Sequence, residues 1–265
     1  MTPSQYVHFL TELPIQQPTP RSARATNQQE GSPPSTQVTH LFALQAQGDL
    51  ASNSQIPVLG QVCEPGCFIT EDSAALPHHL WELMVYRGDL VHLHHGIYTH
   101  HQTKLTPLFK AQSLALISPE DYLYRIRFSR YAAAWVMGYL ESLPETRVDV
   151  DYDRNRRTNL PRTYRPSFAA HQTTVLPHET ITLGPINLTT PLTTALDLIS
   201  YHATDPDANQ AVLNILTTPG NRATPETFLE AAAQCPRVKS QSYRRAQYLA
   251  DLARHQLATL PASTT

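Results

Sequence analysis

Seven histidines lie close together in this chain, and their side chains could support three kinds of chemistry. They are His78, His79, His92, His94, His95, His100 and His101. Imidazole can hydrogen-bond to phosphate or water, bind a metal ion, or gain charge near its ordinary pKa of about 6.5. A metal site would need His92, His94 and a third histidine to converge, which spacing alone does not indicate. We therefore favour polar contacts, with pH-dependent charge as the alternative, and predict no metal and no cofactor.

The elements that carry these histidines follow a recognisable order. Residues 77–86 predict a short helix that stops at Arg87-Gly88. Alternating apolar and polar residues over 89–94 predict a strand, His95-Gly96 predicts a tight turn, and 97–99 predicts the returning strand. Helix, strand, turn and strand in this order are typical of the recognition helix and wing of a winged helix-turn-helix.

Polar residues of this segment are the predicted DNA contacts. They are His78, His79, Arg87, His92, His94, His95 and Tyr98. Because side chains two apart on a strand share a face, His92 and His94 are expected to project together. Trp81 and Met84 have helix-packing spacing, so we interpret them as core residues.

Charge works against phosphate binding in this part of the chain. Residues 39–107 contain six acidic residues and two basic ones, a net charge of −4 when histidine is neutral. DNA affinity depends on positive charge that displaces counterions from phosphate. Weak or pH-sensitive DNA binding is therefore expected here.

A second candidate surface is an arginine-rich segment with no acidic residue. Its five arginines are Arg154, Arg156, Arg157, Arg162 and Arg165. Planar guanidinium groups suit phosphate and carboxylate partners, so we predict DNA contacts at Arg154, Arg156 and Arg157. An exposed hairpin tip without a binding role is the alternative.

Three aspartates alternate along the strand predicted over 147–153. Asp149, Asp151 and Asp153 would share one face, as nuclease carboxylates sometimes do. A metal-dependent nuclease would also need a Glu-x-Lys pair on the next strand, and 167–176 contains neither residue type. We therefore predict a solvated strand face.

Length and composition indicate a two-part α+β protein. The chain has 265 residues, without an apolar run near the roughly 20 residues that span a bilayer and without a signal peptide, so a cytoplasmic location is expected. Cys63 and Cys67 form a lone CxxxC, which favours ordinary thiols. We divide the chain into a disordered Pro/Gln/Ser-rich arm (1–37), a winged helix-turn-helix (38–106), an α+β domain (107–258) and a tail (259–265).

Periodicity places further elements along the chain. The N-terminal module should begin with a helix near 40–45 and a second over 70–76, capped by Thr70. Strands are predicted over 147–153, a return strand over 167–176, and a hairpin over 180–189 with a turn at Gly184-Pro185. Helices are predicted over 108–117, 129–140, 192–201, 207–216, 224–235 and 240–255.

Three stretches, in this order, resemble the antitoxin of AbiE-like abortive-infection toxin–antitoxin pairs. They are YAAAWVMGYL at 131–140, GPINLTTPLTTALDL at 184–198 and RRAQYL at 244–249. The resemblance extends over roughly residues 65–255 and rests on the order of the stretches. Two features depart from the family: the wing is rich in histidine instead of arginine, and the helix over 70–76 is short.

The resemblance implies a non-enzymatic protein with two partners. Its winged helix would bind operator DNA and repress its own operon, and its second domain would neutralise a nucleotidyltransferase-like toxin in phage defence. Some related chains continue into a restriction-type nuclease domain, which we do not expect here because the sequence ends at Thr265.

Two other functions stay open from the residues alone. One is a plain winged-helix regulator whose second domain binds a ligand or partner. The other is a toxin-modifying enzyme or degenerate nuclease, disfavoured because no nucleophile–base pair, P-loop or carboxylate–lysine set is present in the sequence.

Overall fold

The computed structural model describes residues 63–74, 76–144, 147–155 and 162–259. The predicted arm (1–37), the helix near 40–45 and the end of the tail lie outside these ranges. Within them the chain is a mixed α+β protein with a three-stranded and a five-stranded sheet, which confirms the predicted class.

Within residues 63–106, the described portion of the N-terminal part contains two short helices and an antiparallel sheet. Its elements are β1 (Phe68–Ile69), α1 (Glu71–Ala74), α2 (His78–Tyr86), β2 (Leu90–His94) and β3 (Ile97–His100). The strand order is β1-β3-β2, so the strand before the helices pairs with the last strand of the hairpin. The order helix, strand, turn and strand over residues 78–100 is the one predicted from the sequence.

Local chemistry determines where these two helices begin. The backbone N–H of Ser73 donates to Thr70 Oγ1 at 3.2 Å, and the N–H of Thr70 donates to Ser73 Oγ at 2.9 Å. This reciprocal hydrogen bonding confirms Thr70 as the N-cap of α1, whose first helical residue is Glu71. Pro77 precedes α2 with an extended backbone and is not its first helical residue, a one-residue correction to the prediction.

The β2–β3 hairpin turns as its sequence predicts. His95 and Gly96 both have positive φ, 44° and 72°, as a two-residue turn between twisted strands requires. Glycine adopts this backbone without strain, which explains why it follows the histidine.

A bulge in β2 changes which side chains of the hairpin face inward. His92 is paired with Tyr98, but His94 is paired with Ile97, so Leu93 is an extra residue. A one-residue shift moves all later side chains of a strand to the opposite face. The expectation that His92 and His94 share a face is therefore wrong: His92 is exposed and His94 is buried.

The second part has helices packed on a five-stranded mixed sheet. Its strands are β4 (Ile126–Phe128), β5 (Val148–Asp153), β6 (Phe168–Thr173), β7 (Thr180–Leu183) and β8 (Ile186–Thr189). Its helices are α3 (Pro107–Leu116), α4 (Arg130–Val136), α5 (Pro191–Tyr201), α6 (Pro206–Thr217), α7 (Pro225–Gln234) and α8 (Ser240–Thr259). The strand order is β6-β5-β4-β8-β7.

Four of these helices begin in the same way, with a capping side chain followed by proline. Thr106, Thr190, Asp205 and Thr224 each accept a hydrogen bond from a backbone N–H of the first turn. Proline suits the first helical position because its missing N–H would have no helical partner there. The predicted helices in these regions are confirmed.

Two strands and one helix of the second part differ from the sequence expectations. β6 runs parallel to β5, so it is not a return strand and β5 and β6 do not form a hairpin. β4 was not predicted, although it lies at the centre of the sheet between β5 and β8. The helix expected over 129–140 ends earlier, just before Gly138, whose φ is 84°.

The hairpin contributes to two hydrophobic cores. Leu90 belongs to a small cluster with Ile69, Trp81 and Met84. Leu93 and Ile97, which follow the bulge or the turn, belong to the large core of the second part. The β2–β3 hairpin is thus packed against α3 and α4 and does not project freely. None of the helices in the described ranges has the length and hydrophobicity to span a membrane.

Candidate nucleic-acid interface and a buried charge cluster

One face of α2 is open to solvent and carries polar and aromatic side chains. His79, Glu82 and Tyr86 are exposed, and Tyr86 retains 90% of its accessible surface. Trp81 and Met84 point the other way into the small core, which confirms their interpretation as structural. α2 therefore presents a polar and aromatic face to solvent and an apolar face to the small core.

His78 is held between two carboxylates at the start of α2. Its Nδ1 contacts Glu71, and its Nε2 lies 3.2 Å from Glu82 Oε1. The hydrogen bond to Glu71, with the negative charge of Glu82, raises the pKa of His78. A protonated His78 therefore neutralises these carboxylates first, which limits its use as a phosphate contact.

Arg87 is also paired within the module. Its Nε lies 3.3 Å from Asp89 Oδ2, across the turn where Gly88 has a φ of 72°. The pair is half exposed, so its stabilising contribution is small and the guanidinium can change partners at low cost.

Three predicted residues line one open groove between α2 and the hairpin. His92, His95 and Tyr98 surround it together with Val85 and Gly96, and its volume is about 480 Å³. The Tyr98 ring packs edge-on against Trp81 with centroids 5.0 Å apart and lies 4.8 Å from the His92 ring. Partial burial lowers the pKa of His95, which disfavours its charged form in this groove.

His94 lies at the junction of the two parts and cannot contact DNA. It is 3% exposed, its Nε2 is 2.9 Å from Ser113 Oγ, and its ring meets Trp135 edge-on at 5.5 Å. Its Nδ1 has no hydrogen-bond partner within the described part of the chain. Burial lowers its pKa to about 3, so it is neutral. The prediction of His94 as a DNA contact is wrong.

A lysine, Lys110, is also buried against Trp135. Lys110 Nζ donates to the Trp135 carbonyl at 2.9 Å and lies 5.0 Å from the centre of its ring. Burial lowers the pKa of Lys110 to about 8. Trp135, from the AAAW stretch, thus contacts a polar side chain of the hairpin, His94, and one of α3, Lys110.

The described ends of the arginine-rich segment lie at opposite ends of the parallel strands β5 and β6, with Arg154 after the end of β5 and Arg165 before the start of β6. Arg154 is exposed, and its backbone N–H donates to the Thr173 carbonyl at 2.8 Å where β5 ends. Arg156 and Arg157 lie outside the described residues.

Two of the three predicted aspartates lie inside the protein. Asp149 is 7% exposed and Asp151 is 1% exposed. The expectation of a solvated face is therefore wrong for both, because arginines from neighbouring elements compensate their charge. Asp153, at the strand end, is partly exposed.

The first of these pairings links the two central strands. Arg127 of β4 donates from Nη2 to Asp151 Oδ2 at 3.0 Å, and both side chains are almost fully buried. Ser129 Oγ donates to the other Asp151 oxygen at 3.1 Å. Arg127 Nη1 also donates to Thr180 Oγ1 at 3.1 Å and lies 3.8 Å from Glu179 Oε2, so the same guanidinium reaches the outer hairpin.

The second pairing lies beside it and reaches the surface. Arg130 Nη1 is 3.4 Å from Asp149 Oδ1, which also lies 3.0 Å from His171 Nε2. Arg130 has a φ of 50°, rare for a residue with a side chain, and the Tyr201 ring covers its guanidinium at 4.5 Å. A backbone of this kind costs about 1–3 kcal/mol and persists where surrounding contacts hold it.

A fourth carboxylate completes the cluster. Asp197 of α5 is 1% exposed, and its Oδ1 lies 3.0 Å from Arg237 Nη1. That contact is close enough for an ion pair but lacks hydrogen-bond geometry, and neither Asp197 oxygen has a hydrogen-bond donor among the described residues. Burial raises the pKa of Asp197 to about 6, although the Arg237 charge opposes the shift.

The arrangement is a charge-compensated cluster of three arginines and four carboxylates. Its members are Arg127, Arg130, Arg237, Asp149, Asp151, Glu179 and Asp197. Sequence reasoning found two of its aspartates and missed its arginines. The available signal was the alternation Ile126-Arg127-Phe128, too short to be assigned as a strand. Nowhere in the described ranges do three or more His, Cys, Asp or Glu side chains converge as metal ligands.

The CxxxC cysteines differ in their surroundings. Cys63 is buried against the small core and Cys67 is exposed; neither forms a disulfide. Burial raises the pKa of the Cys63 thiol to about 11, which makes it a poor nucleophile and metal ligand.

Comparisons with known proteins add a likeness of fold at most. No family model and no curated protein matches this chain. Among solved structures, the crystal structure of the RV2827C protein from Mycobacterium tuberculosis is similar at 14% sequence identity and a TM-score of 0.38. The alignment covers 75% of this chain and 78% of that chain. A likeness at this TM-score carries no argument about function.

We predict that the buried Arg127–Asp151 pair is essential for stability. Asp151→Asn leaves the buried Arg127 without a countercharge and should lower the free energy of unfolding by about 3 kcal/mol. Asp153→Asn, two residues along the same strand, is the control and should change it by less than about 0.5 kcal/mol. Urea unfolding of both variants measures the difference; equal effects would contradict a special role for the buried pair.

The neutral, buried His94 should make stability depend on pH. The unfolded chain binds a proton at His94 near pH 6.5, whereas the folded chain resists protonation down to about pH 3. Stability is therefore lost as pH falls through 6.5, by about 2 kcal/mol between pH 7.5 and 5 from this group alone. His94→Gln should remove this part of the pH dependence, and the exposed His92→Gln should not. Thermal or urea unfolding at both pH values distinguishes them, and unchanged dependence in His94→Gln would refute the assignment.

Proposed function

We propose that this chain is a DNA-binding regulator whose second part binds a protein partner. Its specific form would be the cytoplasmic antitoxin of an abortive-infection pair that represses its own operon and neutralises a nucleotidyltransferase-like toxin. The observation that carries the first half is the order β1-α1-α2-β2-β3 with the strand order β1-β3-β2. Two helices followed by an antiparallel hairpin, with α2 exposed on one face, provide the reading element of a winged helix-turn-helix.

The charge pattern shapes how such a module would bind. Glu71 and Glu82 flank His78 at the start of α2, and partial burial lowers the pKa of His95 in the groove. Binding through this face would depend more on base and aromatic contacts from His79 and Tyr86 than on phosphate contacts. Phosphate affinity would come from Arg87 and from arginines elsewhere in the chain.

The resemblance to AbiE-like antitoxins supports the second half of the proposal. The stretches that carry it include Trp135 and Asp197, which the structure places in the junction and in the charge cluster. Both positions support the scaffold, since Trp135 contacts the hairpin and Asp197 is a buried side chain of α5. The arginines that neutralise Asp149 and Asp151 also occupy the positions that a nuclease would need free for metal, which favours a non-enzymatic role.

The plain regulator is the second candidate, favoured by the hairpin packed against the second part. Because Leu93, His94 and Ile97 contact that part, a ligand or partner bound there could alter the placement of the wing. The two candidates share DNA binding and differ in the partner.

The DNA-binding half predicts a specific pair of contacts. His79 and Tyr86 are seven residues apart, so they lie on one face of α2. Replacing both with alanine should weaken binding of the full chain to the DNA upstream of its own reading frame by about tenfold or more. The control replaces Tyr248 and His255 of α8, also exposed and seven apart, and should stay within about twofold. Fluorescence anisotropy at one fixed salt concentration measures both; equal affinity in all three proteins would reject α2 as the reading element.

The antitoxin half predicts rescue of growth. If the neighbouring reading frame encodes a nucleotidyltransferase whose expression arrests growth, co-expression of this chain should restore it. The His79/Tyr86 double variant, expressed from an unrelated promoter, should still rescue because toxin binding is assigned to the second part. Failure of rescue by a chain that still binds its upstream DNA would favour the plain regulator.

A further inference from the structure

One imidazole ring bridges α1 and α2. His78 is the first residue of α2, and its Nδ1 contacts the carboxylate of Glu71, the first residue of α1. Its Nε2 lies 3.2 Å from Oε1 of Glu82, one turn further along α2. Among the described residues, these two carboxylates are the charged groups that act on His78. A single side chain thus connects α1 with the exposed face of α2.

The geometry of this bridge favours a charged imidazole. A neutral imidazole has one N–H and one nitrogen with a lone pair, whereas a carboxylate oxygen can only accept a hydrogen bond. In the neutral form, a lone pair would therefore face one of the two carboxylates and be repelled by it. In the imidazolium form both ring nitrogens carry hydrogen, so both contacts are attractive. The bridge should therefore form when His78 is protonated and weaken when the proton is lost.

The start of α2 makes the charge on His78 depend on its two partners. A cation near the N-terminus of a helix is opposed by the helix dipole, which favours negative charge there. α2 has no acidic residue in its own first turn, and Pro77 before it provides no capping hydrogen bond. Glu71, from the neighbouring helix, supplies negative charge at this end of α2.

Packing contributes little to the position of α1 beside α2. α1 has four residues, and none of them is buried. The hydrogen bonds between Thr70 and Ser73 stabilise the first turn of α1 itself, and Ala74 packs against the small core from a partly buried position. The contact between Glu71 and His78 is therefore a substantial part of what joins the two helices.

We propose that His78 is a positioning residue for DNA reading, which in its imidazolium form holds α2 against α1 and neutralises Glu71 and Glu82. This inference rests on the DNA-binding role proposed above for α2. The two carboxylates raise the pKa of His78, so the bridge is present below that raised pKa and is lost as pH rises through it. Loss of the proton loosens the helix pair and leaves both carboxylates uncompensated where phosphates approach, which opposes DNA binding.

The bridge is tested first without DNA, by NMR titration of the His78 ring in the full chain. Its titration midpoint should lie above the ordinary value of about 6.5, and Glu71→Gln and Glu82→Gln should each lower it. Asp72→Asn removes an exposed carboxylate from the same helix and is the matched control, which should lower the midpoint much less. In wild type, the backbone amide signals of residues 71–74 should shift with the same midpoint. A midpoint at or below 6.5, equal lowering by Asp72→Asn, or unresponsive amides would overturn the bridge.

DNA binding then tests the positioning role of His78. Anisotropy with the upstream DNA at about 0.1 M salt should show affinity falling by about fivefold as pH rises through the His78 midpoint, the scale of one charge at this salt. His78→Gln should remove this fall, His78→Lys should keep the low-pH affinity throughout, and the exposed His255→Gln of α8 should behave as wild type. Absence of DNA binding by wild type at every pH would reject the DNA role of α2 and this inference together. Binding whose fall persists in His78→Gln would reject the inference alone.

Discussion

The buried Arg127–Asp151 pair is the constraint around which the second part of the molecule is organised. Arg127 lies on the central strand, and its guanidinium reaches β5 through Asp151 and the β7 hairpin through Thr180 and Glu179. Two charges removed from water are tolerated only with close partners, so the strand order that brings these residues together is also the order that satisfies them. A different pairing of β4 would leave a charge buried without compensation.

The same requirement extends from this pair to the surface. Asp149 contacts both the buried Arg130 and the half-exposed His171. Its carboxylate therefore has one partner in the core and one at the edge of the sheet. The positive φ of Arg130 is explained by this position, because the side chain must turn back toward Asp149 while Tyr201 covers it. Arginine suits such a role since its fork of donors serves several acceptors.

Local patterns predicted the helices well, and long-range charge pairing is what they could not predict. Threonine or aspartate followed by proline marked four helix starts, because capping depends on neighbouring residues alone. Whether Asp151 faces water or Arg127 depends on a parallel crossover and a three-residue strand, neither of which leaves a periodic signal. The bulge at Leu93 is similar: alternation places His94 beside His92, and one extra residue reverses it. Among the candidate contacts, the exposed face of α2 could be predicted from the sequence, and the burial of His94 could not.

Burial of His94 also gives the histidine-rich segment opposing responses to acid. An exposed imidazole ordinarily gains charge as pH falls below about 6.5, which favours binding to a polyanion. Over the same range the folded protein loses stability, since His94 resists the proton that the unfolded chain accepts. His94 contacts Ser113 and Trp135, so the element weakened first would be the docking of the hairpin on the second part. The hairpin thus carries one exposed histidine, His92, and one buried histidine, His94, so acid would act on its surface and on its attachment to the second part at the same time.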